Sequence, residues 1–204
     1  MDIAKELMAH VGKQLHEAQK ASQQVNYIKL AEVVKKIHFM NEEFDCDIYA
    51  TGMGKAGHVA KKFAASMSSL GTPTFFVHPA EAHHGDLGMF KPGCIVFCYS
   101  NSGKTQEIIS MVEQLKDLYH SVKIVAVTQK EDSPLGKLSN AGIFYGEIEE
   151  ACHIKMAPTT STLIMELLGN AVAIFLSKAK GFDREDFGAR HHGGYLGAIA
   201  KKED

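Results

Sequence analysis

The chain has 204 residues, of which 45% are hydrophobic and 23% charged, and a formal net charge of −2. That is enough for one α/β domain with a sizeable core, in the balance usual for soluble globular proteins. Of 22 basic residues only Arg184 and Arg190 are arginines, which argues against a nucleic-acid surface. Charges at Asp2, Lys5 and Glu6 leave no signal-peptide core, and no apolar run approaches the ~20 residues of a membrane span. Cys46, Cys94, Cys98 and Cys152 show no zinc spacing, which points to free thiols in a reducing, cytoplasmic compartment.

In chain order, residues 2–43 read as two helices. Ile3, Leu7, Met8, Val11 and Leu15 recur at helical spacing, as do Ile28, Leu30, Ala31, Val34 and Ile37. Such a pair is expected to cover a sheet edge or make a subunit contact. Residues 47–51 start a sheet, 52–57 turn, and 58–70 form a helix. A second strand follows at 74–78, then a polar segment at 79–88 with Glu81, His83, His84 and Asp86. Residues 94–99 are an apolar strand, on which Cys94 and Cys98 share a face. After a turn, a helix runs from Lys104 to about Tyr119, with Ile108, Ile109, Val112 and Leu115 on one face. Residues 122–128 read as an all-apolar strand, Ser133-Pro134 as the start of a short helix, and 142–145 as a short strand. A long loop at 147–158 leads to an apolar helix over 159–180, ended by Gly181. Residues 182–204 form a tail. The division expected is a helical pair (1–45), an α/β core (46–181) and a tail (182–204) contributing to the site.

Apolar strands alternating with helices predict a parallel sheet covered on both faces, a three-layer αβα sandwich with two helices in front. Ligands on such sheets sit at the carboxyl ends of the strands. The turn with Gly54, the loop from Ser100 and the segment after Thr128 all lie there. In that loop Ser100, Asn101, Ser102, Gly103 and Thr105 join a buried strand to a helix. Helix N-termini present unpaired N–H groups and partial positive charge, hydroxyls add donors, and Gly103 lets the backbone approach. The reading is a phosphate loop. Gly52, Gly54 and Gly57 fit a dinucleotide fingerprint in form, but Lys55 sits within it and a second phosphate cradle would be superfluous. Ser102-Gly103-Lys104-Thr105 is not a P-loop, which needs glycine where this chain has Cys98.

Together, Gly52-Met53-Gly54-Lys55-Ala56-Gly57-His58, His78-Pro79-Ala80-Glu81-Ala82-His83-His84-Gly85-Asp86-Leu87-Gly88, Ser100-Asn101-Ser102-Gly103, Ala157-Pro158-Thr159-Thr160-Ser161-Thr162 and His191-His192-Gly193-Gly194-Tyr195-Leu196-Gly197 resemble the sugar isomerase (SIS) domain of D-arabinose 5-phosphate isomerases. The resemblance implies a SIS, flavodoxin-like fold and interconversion of D-ribulose 5-phosphate with D-arabinose 5-phosphate, which supplies Kdo for lipopolysaccharide or capsule. It further implies the short type without CBS domains and a homotetramer; whether a downstream product such as CMP-Kdo occupies the pocket as a regulator is left open by the sequence. The family's functional lysine, two glutamates and histidine match Lys55, Glu107, Glu150 and His191. His192 replaces a usual proline, Lys104 a usual glutamate, and Asn170 stands where aspartate is common.

Moving a carbonyl from C2 to C1 needs a base, a donor to the enediolate oxygens and help with ring opening, and no redox cofactor. Lys55 suits an oxyanion or the phosphate. Glu107 is either catalytic or a helix-dipole carboxylate worth ~0.3–1 kcal/mol. Glu150 is the preferred base, with Glu149 its rival, and His191 suits ring opening or proton relay, in its own or a neighbouring subunit's site. His84 is read as a sugar-hydroxyl contact. The hydroxyls of Thr159 to Thr162, Thr160 and Ser161 foremost, are read as sugar or phosphate contacts, with helix capping as the alternative. The chemistry requires no metal, yet His78, His83, His84, Asp86 and His192 are suitable ligands, with His78, His84 and His191 the set considered for zinc. Other substrates, such as a hexulose 6-phosphate or heptulose 7-phosphate, fit the same fold, as does a non-catalytic sugar-phosphate sensor.

Overall fold

Two capped helices open the chain in the computed structural model, which describes residues 2–192 together with Tyr195 and Ile199. Gly193, Gly194, Leu196 and Gly197 of the C-terminal motif lie outside the described residues. Asp2 caps Ile3–Gln24 (α1) by accepting from the Lys5 N–H at 3.3 Å, and Asn26 caps Tyr27–Phe44 (α2) by accepting from the Lys29 N–H at 3.0 Å. α2 buries Leu30, Val34 and Ile37, while Ile28 and Ala31 stay exposed. α1 departs further from its pattern. Its stripe of Ile3, Leu7, Met8, Val11 and Leu15 is 57% to 74% exposed, and the helix is held by Ala18 and Ala21 instead. The stripe thus covers no sheet edge within its own chain.

Strands and helices then alternate: Ile48–Gly52 (β1), Gly54–Ser69 (α3), Thr74–Phe76 (β2), Pro79–Ala82 (α4), Ile95–Tyr99 (β3), Gln106–Leu118 (α5), Lys123–Thr128 (β4), Pro134–Leu138 (α6), Ala141–Phe144 (β5), Thr160–Ala179 (α7) and Arg184–Arg190 (α8). The five strands are parallel, in the order β2-β1-β3-β4-β5. Alternate side chains feed two cores, as the twofold period of a strand requires. Ile48, Ala50, Ile95, Phe97, Tyr99, Val125 and Val127 pack with α2, α3 and α7. Tyr49, Val96, Cys98, Ile124 and Ala126 pack with α4, α5 and α6 on the other face. Cys94 joins Cys98 there, and all four cysteines are free.

Several local expectations are corrected. α3 begins at Gly54 rather than residue 58, so Lys55 lies in a first helical turn and not in a loop. The polar segment folds, with Pro79 starting α4 and a 3-10 turn over Asp86–Met89, because proline presets the helical φ. The tail starts with α8, held by a reciprocal cap: the Asp186 N–H reaches Asp183 at 2.9 Å and the Asp183 N–H reaches Asp186 at 3.3 Å. β4 is not wholly apolar, since Lys123 at its start faces solvent. α7 is long and apolar enough to cross a membrane by composition alone. Its Ile164, Leu168, Val172 and Leu176 are buried against α3 and the sheet, while Leu167, Ile174 and Phe175 stay exposed.

β1 has β2 on one side and β3 on the other, so the chain reverses its direction of winding between β1 and β3. The crevice outside the carboxyl ends of those two strands is where this topology exposes loops to a ligand. Gly52 pairs with Tyr99 in register, so the turns that follow begin about 5 Å apart, one strand spacing.

Candidate functional site

The first turn leaves β1 at Gly52 and enters α3 through Gly54, whose φ is +55°. Gly52 and Gly57 are there for packing. A Cβ on Gly57 would sit 2.4 Å from the Gly52 carbonyl oxygen, so only glycine lets the helix approach its strand this closely. That contact aims the α3 N-terminus at the crevice, with Gly54 and Lys55 exposed on it. Lys55, His58, Val59, Lys62, Thr162 and Glu166 line a cleft of ≈ 270 Å³ between the starts of α3 and α7. Lys62 spans it, pairing with Glu166 at 3.2 Å and hydrogen-bonding Asn170. The residue standing where aspartate is common therefore has a lysine partner in this chain.

The second turn leaves β3 at Tyr99. Ser100 is buried, and its hydroxyl lies 2.8 Å from that of Thr105. Thr105 is the N-cap residue of α5 but makes no side-chain capping bond, so the first N–H groups of α5 lack the usual partner. Gly103 turns the chain with φ +63°, and a Cβ there would meet Ser133 Oγ at 2.3 Å and Thr128 Oγ1 at 2.9 Å. Ser102 is exposed. Its oxygen accepts from the Lys104 N–H at 3.2 Å, which leaves the hydroxyl proton to donate outward. Asn101 is tied from three directions: Thr128 Oγ1 and the Gln129 N–H donate to its carbonyl at 3.1 Å each, and the Tyr145 hydroxyl donates to Oδ1 at 2.7 Å. An open helix N-terminus with free hydroxyl and amide donors is suited to an anion. Glu107, in the first turn of α5, is exposed.

The third component comes from loop 147–158. Glu150 is only 8% exposed, and its Oε2 accepts from the Thr159 N–H at 2.7 Å, the Thr159 hydroxyl at 3.0 Å and the Ser161 N–H at 3.3 Å. The Thr159 oxygen in turn accepts from the Ala151 N–H at 2.9 Å. Glu150 is thus the cap of α7, while its Oε1 carries no described hydrogen bond. Its rival Glu149 is exposed and paired with Lys13 and Lys155, whose hydrogen bonds hold its carboxyl below the usual range. Thr160 and Ser161, read as contacts to sugar or phosphate, are 0% and 1% exposed. In this structure neither presents a surface to solvent, and Ser161 serves Glu150. With a carboxylate already filling it, the α7 N-terminus is a poor anion site, whereas that of α5 is open.

Burial would push the Cys152 thiol up, but N–H groups of Ala157, Met156, Ile154 and Lys155 donating to it hold it below the usual range.

His191 stands apart from these groups. It follows α8, its ring stacks on Phe187 at 3.8 Å, its Nδ1 lies 2.8 Å from the Phe187 carbonyl and its Nε2 lies 3.2 Å from Ser69 Oγ. A carbonyl only accepts, so Nδ1 carries a proton. Ser69 ends α3 and Lys55 lies in its first turn; at 1.5 Å per residue they are about 21 Å apart. One chain therefore does not bring His191 to Lys55. The proposed zinc set of His78, His84 and His191 is not assembled either: among the described residues no three ligating side chains converge. His83 binds Gln114 of α5 at 3.2 Å, and His84 is exposed.

Sequence reasoning missed Tyr145 and Thr128 as supports, whereas Thr159 belongs to the hydroxyl run for which capping is the alternative reading.

Residues 45–174 match the SIS domain family. The arabinose 5-phosphate isomerase KdsD of Pseudomonas aeruginosa is 45% identical over 159 residues, which cover 77% of this chain and 48% of that one. The protein of the same name from Escherichia coli K12 is 37% identical over 201 residues, 93% of this chain and 61% of that one. The chain thus spans about half to three-fifths of the length of these curated relatives. Among solved structures, a Bacteroides fragilis protein described as a phosphosugar isomerase candidate involved in capsule formation superposes with a TM-score of 0.85 at 31% identity, over 95% of this chain and 99% of that one. An E. coli CFT073 protein, solved in complex with arabinose 5-phosphate, gives a TM-score of 0.82 at 33% identity, over 92% and 98% of the two chains.

Proposed function

The chain belongs to the SIS domain family, and on that footing we propose that it is an aldose–ketose isomerase interconverting D-ribulose 5-phosphate and D-arabinose 5-phosphate through an enediol. The observation that carries the reading is Glu150: a buried carboxylate with one oxygen held by three donors and the other unengaged, at the same rim of the sheet as an open helix N-terminus. Relatives named arabinose 5-phosphate isomerase, and a structural neighbour bound to arabinose 5-phosphate, support the substrate.

In this reading the α5 N-terminus, Ser102 and Asn101 take the phosphate. Glu150 Oε1 removes the C1 proton of the ketose and returns it at C2. Lys55 stabilises the enediolate oxygen, or shares the phosphate. Glu107 completes the acid–base set while favouring the α5 dipole. Ring opening of the aldose falls to His191 of a second copy, since its own chain holds it at the far end of α3. The exposed α1 stripe supports association of copies, and a homotetramer is the state proposed. Free thiols fit a reducing compartment, and the enzyme is assigned to the cytoplasm, supplying Kdo for lipopolysaccharide or capsule. A downstream product such as CMP-Kdo is the regulator proposed for the site.

The test is equilibration of the two pentose phosphates by purified protein in excess chelator, followed by NMR. Turnover without metal is expected. Binding without turnover would make the protein a sensor, and loss of activity with chelator would require a metal-dependent mechanism. Faster turnover of a hexulose 6-phosphate or heptulose 7-phosphate would move the substrate.

A further inference from the structure

Asn101 lies in the middle of the anion loop with its acceptor atoms spoken for. Thr128 and Gln129 hold its carbonyl, and the Tyr145 hydroxyl holds Oδ1 at 2.7 Å. Tyr145 is fully buried, its ring packed in the core with Val125, Val127 and Ile143. Its own N–H reaches the Thr128 carbonyl at 3.3 Å. The hydroxyl is therefore positioned by the sheet, not by the loop that it touches. A primary amide has one accepting end and one donating end. With Oδ1 turned to the core, Nδ2 is turned away from it, and no described hydrogen bond uses its protons.

We propose that Tyr145 is a positioning residue that fixes the Asn101 amide so that Nδ2 donates to the phosphate of the substrate. The inference rests on the reading of this loop as the phosphate site and adds the reason its amide has one orientation. Flipped, the amide would set an oxygen against an anion. The device requires a phenol that never ionises in the working range. Burial pushes the Tyr145 hydroxyl far up, and the nearby Glu150 carboxylate adds to the shift.

Tyr145→Phe keeps the ring and removes the O–H. Calorimetry on the full chain should show arabinose 5-phosphate and inorganic phosphate both weakened about five- to tenfold, the loss of one hydrogen bond, with kcat within about twofold. Asn101→Ala should lose a similar factor, and the double variant no more than either single one. A purely structural tyrosine would lower the melting temperature and leave phosphate affinity alone. Wild-type affinity in Tyr145→Phe, or additive losses in the double variant, overturns the proposal. Should Tyr145→Phe not fold, Asn101→Asp decides: it keeps the acceptor for Tyr145 and puts an oxygen at the donor end. At least a tenfold loss of phosphate affinity with an unchanged fold is then expected, and wild-type affinity is disproof. Wild-type protein that binds the sugar phosphate without turnover removes the isomerase reading but leaves this one intact. Wild-type protein that binds neither ligand removes both.

Discussion

Thr159 approaches Glu150 twice, through its N–H at 2.7 Å and its hydroxyl at 3.0 Å, both on the same carboxylate oxygen. The carboxylate proposed as the base is therefore also the cap of α7. Glu150→Gln keeps an acceptor for α7 and loses the basicity, so kcat should fall by ~10²–10⁴ with little change in stability. Glu150→Ala should lose the same activity and also about 1–3 kcal/mol, because buried N–H groups of Thr159 and Ser161 lose their acceptor. Steady-state kinetics and denaturant unfolding of the pair separate the two roles. Equal stabilities would show that the cap contributes nothing.

Ser102 and Ser100 should behave differently although both stand in the same loop. Ser102→Ala removes an outward donor and is expected to raise KM several-fold with kcat nearly unchanged. Ser100→Ala removes the buried partner of Thr105 and should act on stability as well, through an unsatisfied hydroxyl. Comparing KM with melting temperature for both variants checks this. An unaltered KM in Ser102→Ala would remove that side chain from the phosphate contact.

Gly103→Ala should be costly, because φ is +63° and the new Cβ would meet Ser133 at 2.3 Å. Strain and overpacking of this kind cost about 1–3 kcal/mol. The loop would also move, so affinity for inorganic phosphate should fall along with the unfolding midpoint. A variant as stable as the wild type would mean that the turn relaxes freely.

His191→Ala and Glu150→Ala should complement each other. Each alone is expected to be nearly inactive, and coexpressed chains should recover part of the activity, because some sites in mixed oligomers receive both intact residues. Recovery is measured on purified hetero-oligomers carrying two different tags. Mixtures no better than their parents would confine His191 to bracing the end of α3.

Cys152 should be the first thiol to react. Burial raises Cys94 to about 11 and also raises Cys46 and Cys98, whereas Cys152 is lowered by the N–H groups around it. Alkylation falls off as pH drops through the pKa of each thiol, so near neutral pH iodoacetamide should label Cys152 well ahead of the rest. Peptide mass mapping over a time course reads the order.

Local chemistry made much of this legible in the sequence. The apolar strands and the glycine turns can be read within a few residues, and Gly103 falls in a turn as expected, although its φ of +63° and its packing against Ser133 and Thr128 are reasons that the sequence did not display. What escaped reading was decided at a distance. Glu150 finds its donors across an irregular loop, nine and eleven positions on. Tyr145 looked like the end of a strand, and its hydroxyl partner lies 44 positions earlier. His191 was visible as a histidine, but only packing reveals that it rests on the end of α3 opposite Lys55. The α1 stripe left its cover open for a related reason: periodicity identifies an apolar face without saying whether a sheet edge or a second copy will cover it.

The register between Gly52 and Tyr99 has a consequence for the order of folding. The segments that meet there are distant in the chain, and joining them closes a large loop, a slow, entropy-limited step. The helices can form far sooner. During refolding, catalytic competence should therefore lag behind the recovery of circular dichroism and return with the last consolidation of the sheet.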